Sequence, residues 1–191
     1  MSVPLTDSEK QILLKLARQA LEYGVHARTL PLVDQNSLTP TLTAYGCSFV
    51  TLTVDGELRG CVGALEAYQP LVEDVREHAV AAALQDPRFP PVQAAELDGI
   101  KLEISRLTPP QPLTYTSADD LLKKIRPHVD GVILKNGPRR ATFLPQVWEK
   151  IPDPVEFMER LCQKMGLNAN AWRLLPMDVL VYQVEDFEEK H

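Results

Sequence analysis

A chain of 191 residues, 45% hydrophobic and 24% charged, is long enough to bury a globular core without metal or disulfide staples. A net charge of −6, with no basic run longer than two residues, disfavours nucleic-acid binding, since a nucleic-acid groove needs positive charge to neutralise phosphates. Three cysteines without CxxC spacing predict free thiols in a reducing cytosol. No apolar run is long enough to span a membrane, and the N-terminus lacks a signal-peptide pattern, so we expect a cytoplasmic protein.

Helical and strand-forming segments follow each other in an irregular order. Hydrophobic periodicity and capping patterns predict helices over 8–23, 70–84, 117–125 and from Asp153 to about 165, with a long loop over 25–45. Alternating segments predict strands over 47–54, 101–107 and 177–184, two hairpins turning at Asp55-Gly56 and Asn136-Gly137, and a frayed acidic tail over 185–191. Without a regular βαβ repeat, this order predicts one α+β domain over residues 1–191, with a largely antiparallel sheet and flanking helices.

The candidate functional site is the second strand of the first hairpin, where Cys61 lies between Gly60 and Gly63. Glycine lets a backbone approach a ligand closely, so this run suits either a reactive thiol or a tight structural turn. A two-residue turn pairs Val50 with Cys61 and places Arg59 on the same face as Cys61, where its guanidinium would favour a thiolate. The same register places Phe49, Leu58 and Val62 on the opposite, core face.

Candidate partners of Cys61 come from four other segments. His78 is predicted on the second helix as a base for the thiol, or as a boundary histidine, and His26 is a weaker candidate. Asp86 and Arg88 lie in a loop that three prolines make non-helical. Arg88 either binds an anion there, or the two residues pair with each other or cap the preceding helix.

The remaining candidates lie downstream of that loop. Glu103 and Ser105 share a strand face, on which they either line the Cys61 site or face water. Gln146 is a candidate ligand contact in an otherwise apolar segment. The spacing of histidines and cysteines predicts no metal site, and no phosphate-binding glycine loop or serine-hydrolase elbow is present, so no cofactor is expected.

Four motifs in order resemble the AMMECR family over nearly the whole chain. They are Leu58-Arg-Gly-Cys-Val-Gly63, Asp86-Pro-Arg-Phe-Pro-Pro91, Glu103-Ile-Ser-Arg-Leu107 and Thr142-Phe-Leu-Pro-Gln-Val-Trp148. The resemblance implies an α+β fold of two unequal lobes with the Arg-Gly-Cys motif at a shared cleft. It also implies a working association with a Memo-type protein and a radical SAM protein, as in the AmmeMemoRadiSam system.

Three functional hypotheses follow. In the first, Cys61 serves an enzyme or enzyme component acting on a small anionic or nucleotide-like substrate, with Arg59 and Arg88 handling charge, His78 transferring protons and Glu103 orienting a partner group. In the second, the protein is a non-catalytic binding module that recognises a partner protein. RNA binding is a third hypothesis, suggested by Arg139-Arg140 and opposed by the net charge. The sequence sets no oligomeric state.

Overall fold

A computed structural model describes residues 3–190 and divides into two units. Unit 1 is Met1–Thr108 with Glu185–His191, and unit 2 is Pro109–Val184. The α-helices are α1 (Asp7–Val25), α2 (Pro40–Thr43), α3 (Leu71–Leu84), α4 (Ala118–Lys124), α5 (Pro154–Lys164) and α6 (Ala171–Leu174). The strands are β1 (Tyr45–Val54), β2 (Glu57–Gly63), β3 (Gln69–Pro70), β4 (Ile100–Leu107), β5 (Gln111–Pro112), β6 (Gly131–Asn136), β7 (Arg139–Phe143), β8 (Asp178–Tyr182) and β9 (Val184–Glu188).

These elements confirm the α+β prediction. Strands β1, β2 and β4 pair antiparallel, as do β5, β6, β7 and β8 in a second sheet. Short 3₁₀ helices over Gln35–Ser37, Ala94–Gly99 and Pro145–Glu149 connect the longer elements. The segment predicted as one long loop over 25–45 therefore contains a 3₁₀ turn and the short helix α2.

The sheet of unit 1 runs in the order β2-β1-β4-β9, with β3 pairing the start of β1. Helix α3 packs on β1 and β2, and α1 packs on α3. Val50 and Leu52 of β1 are fully buried on the α3 face. Each such side chain contributes roughly 1.5–3 kcal/mol through the apolar area that it removes from water.

Strand β4 shows the alternation that its sequence predicts. Leu102, Ile104 and Arg106 are buried, whereas Lys101, Glu103 and Ser105 on the other face are partly exposed. We call this second face of the unit 1 sheet, which carries Thr51, Cys61, Glu103 and Ser105, the thiol face.

The register of the first hairpin differs from the prediction because β2 contains a bulge. Asp55 and Gly56 form the turn with positive φ, and Val54 pairs with Glu57 as expected. Thr53 then pairs with Leu58 and Leu52 with Gly60, so Arg59 is the extra residue. Cys61 consequently pairs with Thr51, not with Val50.

The bulge also corrects the predicted faces of the hairpin. Val62 pairs with the buried Val50 and packs on the core, as predicted. Phe49 pairs with Gly63 on the thiol face, and Leu58 is 41% exposed. Placing Phe49 and Leu58 on the core face was therefore wrong, because one extra residue exchanges the faces of a strand.

The predicted frayed acidic tail is strand β9. Its carboxylates are bound: Glu185 to Arg106, Asp186 to Ser105, and Glu188 to Lys101. Glu189, directly after the strand, pairs with Arg18 of α1. Three ion pairs and one hydrogen bond to residues of unit 1 order a segment whose own sequence has little reason to fold. His191 lies outside the described residues.

The sheet of unit 2 runs in the order β5-β8-β6-β7. In its separate hydrophobic core, the rings of Trp148 and Phe157 stack with centroids 3.6 Å apart. The Trp148 indole N–H donates to the Asp130 carbonyl at 2.7 Å, which satisfies the polar atom of a buried ring. Asn136 pairs with Arg139, so the second hairpin turns at Gly137-Pro138, one residue later than predicted.

Candidate functional site

The loop that follows α3 forms hydrogen bonds with both the backbone N–H and the backbone carbonyl of Cys61. The Asp86 carboxylate accepts the Cys61 N–H at 2.9 Å, and the Arg88 guanidinium lies 3.5 Å from the Cys61 carbonyl oxygen. Because β2 pairs only with β1 among the strands of residues 3–190, these contacts satisfy backbone groups on the otherwise unpaired edge of the sheet. The predicted pairing of Asp86 with Arg88 is present, and it serves as a clamp on Cys61.

Asp86 is the centre of this clamp. Besides the Cys61 N–H, it accepts the Arg88 N–H at 3.0 Å and the Arg88 Nε and Nη2 at 3.0 and 2.7 Å. These donors, above all the Arg88 guanidinium, hold the pKa of the Asp86 carboxyl well below its usual range, although burial opposes the shift. Asp86 is 3% exposed and Arg88 is 55% exposed, so the clamp has a buried anion and an accessible cation.

Arg59 is directed to Glu96 instead of to the thiol. Its Nε and Nη2 donate to the Glu96 carboxylate at 2.8 and 3.2 Å, which lowers the pKa of Glu96. The bulge supplies the extra residue that carries this pair, and the pair fixes β2 to the 3₁₀ helix that precedes β4. Within residues 3–190, the expected contact between the Arg59 guanidinium and the Cys61 thiol is absent.

Both glycines next to Cys61 are required by packing. A Cβ on Gly60 would lie 2.1 Å from the Ala82 carbonyl oxygen of α3, and a Cβ on Gly63 would lie 2.4 Å from the Phe49 ring. Since real Cβ atoms do not approach that closely, Gly60 allows α3 to pack against the sheet and Gly63 makes room for Phe49.

The Cys61 side chain begins a row of polar groups across the thiol face. The Thr51 hydroxyl donates to the Cys61 sulfur at 3.4 Å, and Thr51 pairs with Glu103 on its other side. Two strand spacings place Glu103 about 10 Å from Cys61, close enough for one small molecule to contact both. A thiol, a hydroxyl and a carboxyl therefore lie side by side.

Glu103 and Ser105 lie on the same face, as predicted. Burial, followed by the charges of Asp186 and Glu188, raises the pKa of the Glu103 carboxyl, and Lys101 opposes this shift. Ser105 donates to Asp186 at 2.6 Å. The pKa of Glu103 is thus shifted in the direction that a proton donor requires.

His78 lies on the opposite side of the sheet from Cys61. Its Nδ1 is 3.1 Å from the Asp74 carboxylate, which also accepts the Ser48 hydroxyl at 2.7 Å, and all three side chains are buried. Ser48 and Thr51 occupy positions of opposite parity on β1, so the imidazole and the thiol face away from each other. The structure does not bring the predicted base to the thiol, and the weaker candidate His26 is an exposed residue just after α1.

The remaining residues of interest have simpler settings. Gln146 is exposed in the 3₁₀ helix of unit 2. Cys47 and Cys162 are buried, and burial raises the pKa of the Cys47 thiol to about 11. Within residues 3–190, no three His, Cys, Asp or Glu side chains are arranged to hold a metal ion, and no helix there is long and apolar enough to cross a membrane.

Sequence reasoning missed Thr51 and Glu96, the side-chain partners of Cys61 and Arg59. Thr51 is one of two threonines at alternate positions of β1, and only the true register shows which of them faces the sulfur. Glu96 has a detectable local signal, since it closes a capping box with Gln93, but nothing local connects it to Arg59.

Comparisons with known proteins agree with the four sequence motifs. The family model described as AMMECR1 matches residues 14–187, which include parts of both units. This chain belongs to the AMMECR1 family.

Relatives in the family are similar over nearly their whole length. A protein of Methanothermobacter thermautotrophicus is 39% identical over 192 residues, covering 97% of each chain. A protein of Nanoarchaeum equitans is 36% identical, covering 93% of this chain and 98% of its own. The crystal structure of an uncharacterized protein from Pyrococcus horikoshii matches with a TM-score of 0.77 and 32% identity, covering 98% of this chain and 94% of that one.

Proposed function

We propose that this protein is an enzyme, or a component of one, that uses the Cys61 thiol and the Glu103 carboxyl on a small anionic substrate. The observation that carries the proposal is the setting of Cys61. Its backbone N–H and carbonyl are both held by the Asp86–Arg88 clamp, whereas its side chain belongs to a polar row on the thiol face. Fixing the backbone in this way gives the thiol one position relative to Glu103, as a reactive group requires.

The charges around Cys61 favour one orientation of the substrate. The guanidinium of Arg88 is more than half exposed at the β2 edge, and it is the accessible cation next to Cys61. Glu103, Asp186 and Glu188 make the β4–β9 side of the face acidic. An anionic group therefore binds at the Arg88 end, and the part of the substrate that exchanges a proton lies toward Glu103.

Partners and location enter the proposal through the family. The resemblance to the AmmeMemoRadiSam system implies that the protein works with a Memo-type and a radical SAM protein, and we propose that such partners deliver or consume the substrate. The three cysteines are free, which supports a reducing compartment such as the cytosol.

Alkylation of the native protein by iodoacetamide, mapped by peptide mass spectrometry between pH 6 and 10, tests the reactive-thiol proposal. Cys61 should react first and faster than a free cysteine peptide, and Thr51→Val should slow it. The buried Cys47 and Cys162 serve as internal controls for local unfolding. A Cys61 that reacts no faster than the free peptide in the folded protein would refute the catalytic role.

A second candidate function is a non-catalytic binding module. Arg59, Gly60, Gly63 and Asp86 all have structural partners, so the motif can maintain the fold of β2 without chemistry. In that case Cys61→Ala leaves co-purification with a Memo-type partner intact, whereas Arg88→Glu or Gln146→Ala abolishes it. Loss of co-purification with Cys61→Ala, at unchanged thermal stability, would argue against the binding module.

A further inference from the structure

Strand β9 adds one more carboxylate to the polar row. Ser105 of β4 binds Asp186, and two hydrogen bonds join Leu102 to Glu189: the Glu189 backbone N–H donates to the Leu102 carbonyl, and the Leu102 N–H donates to the Glu189 side-chain carboxylate. Ser105 is bonded to Asp186, and Leu102 is bonded to Glu189, so β4 and β9 run antiparallel. In this register Glu103 lies directly across from Glu188. The row is therefore thiol, hydroxyl, carboxyl, carboxyl over four neighbouring strands.

We infer that Glu188 is a positioning residue of the proposed site and controls the protonation of Glu103 from the opposite position on β9. The inference rests on the proposed function, in which Glu103 donates the proton. Two carboxylates directly opposite each other on paired strands repel each other, and protonation of one of them removes this repulsion. Glu188 is exposed and pairs with Lys101 at 2.8 Å, whereas Glu103 is half-buried, so of the two carboxylates Glu103 has the less favourable surroundings for a charge.

The other groups around Glu103 support this division of roles. Thr51 faces it from β1, and Lys101 lies on its own face of β4. A surface cavity of about 560 Å³ beside Glu103 and Glu188 is also lined by Asp55 and Asp98. The charged groups that face Glu103 are Lys101, Asp186 and Glu188, with Asp55 and Asp98 across the cavity. Lys101 is the single cation among them.

Two substitutions of opposite sign test the inference. The titration of Glu103 is followed by carboxyl carbon NMR on the full-length protein, and Glu103→Gln identifies its resonance. Glu188→Gln should move the midpoint to lower pH, with the protonation constant of Glu103 falling about two- to fivefold, the range expected for a cross-strand charge pair. Lys101→Gln removes the opposing cation and should move the midpoint to higher pH. Glu159→Gln, a matched change on α5 of unit 2, should move nothing.

These outcomes separate control of charge from general loosening of β9. Local unfolding would expose Glu103 and return its midpoint toward that of a free glutamate in both variants, so shifts in the same direction would overturn the inference. An unchanged midpoint in Glu188→Gln would also overturn it. The titration does not depend on the reactivity of Cys61, so an unreactive thiol would end the proposed function while leaving the role of Glu188 measurable.

Discussion

Substitution of Asp86 should lower the local stability at one backbone amide, that of Cys61. Asp86→Asn keeps the size of the side chain but removes its charge and one acceptor oxygen, so either the Cys61 N–H or the Arg88 donors face an amide NH₂ group. A buried donor left without an acceptor costs about 1–3 kcal/mol. We therefore expect a loss of about 1–3 kcal/mol in local stability.

Native-state hydrogen exchange at the Cys61 amide measures this loss directly. A loss of that size accelerates exchange about 5- to 150-fold. Asp34→Asn is the control, because Asp34 accepts a backbone N–H at an exposed 3₁₀ turn far along the chain, and it should leave Cys61 unaffected. Unchanged exchange at Cys61 in Asp86→Asn would refute the clamp.

The same residue gives the clamp a pH dependence. Because the folded-state pKa of Asp86 is held below its ordinary value, its contribution to stability is complete above that ordinary value, about pH 4, and is lost as the pH falls through the folded-state pKa. Wild-type exchange at Cys61 should therefore accelerate below about pH 4 relative to the intrinsic exchange rate. The Asp86→Asn variant should lack that acceleration.

Two further substitutions test packing and burial in unit 1. Gly60→Ala places a Cβ against the Ala82 carbonyl oxygen and should lower the free energy of unfolding by about 1–3 kcal/mol or more. Urea titrations followed by circular dichroism measure this loss. Gly99→Ala is the control and should be nearly neutral, because its Cβ has only an ordinary contact. Equal stability of the two variants would contradict the close approach of α3. Ser48→Ala removes a hydrogen bond to the fully buried Asp74, whose Oδ1 has no partner among the described residues, and should cost about 1–3 kcal/mol by the same measurement. A cost below about 0.5 kcal/mol would show that the hydrogen bond from Ser48 to Asp74 contributes little to stability.

Local patterns were sufficient wherever the physical cause is local. The capping box of Thr6 and Glu9 starts α1, the N-cap Asp153 and Pro154 start α5, and Asp55-Gly56 forms the first turn. The alternation of β4 predicted its buried and exposed faces correctly, because side chains alternate in any strand with one buried face.

Long-range pairing decided the rest. The partner of Arg59 could not be predicted from β2, because its guanidinium binds Glu96, which is 37 residues away along the chain. The sequence of β9 predicts a frayed tail, because it does not show the ion pairs with Arg18, Lys101 and Arg106 that order this segment. From the sequence alone, each of these carboxylates is expected to face solvent. Only the folded structure shows which cation it pairs with.

The sequence alone determined the family, the α+β class and the position of the candidate site at Cys61. The tertiary structure decided what the neighbours of Cys61 do. It assigned Arg59 to Glu96, placed His78 on the other side of the sheet, and aligned Cys61 with Thr51 and Glu103. The physical reason is that one residue of register exchanges the faces of a strand, and the register is set by contacts that are distant along the chain.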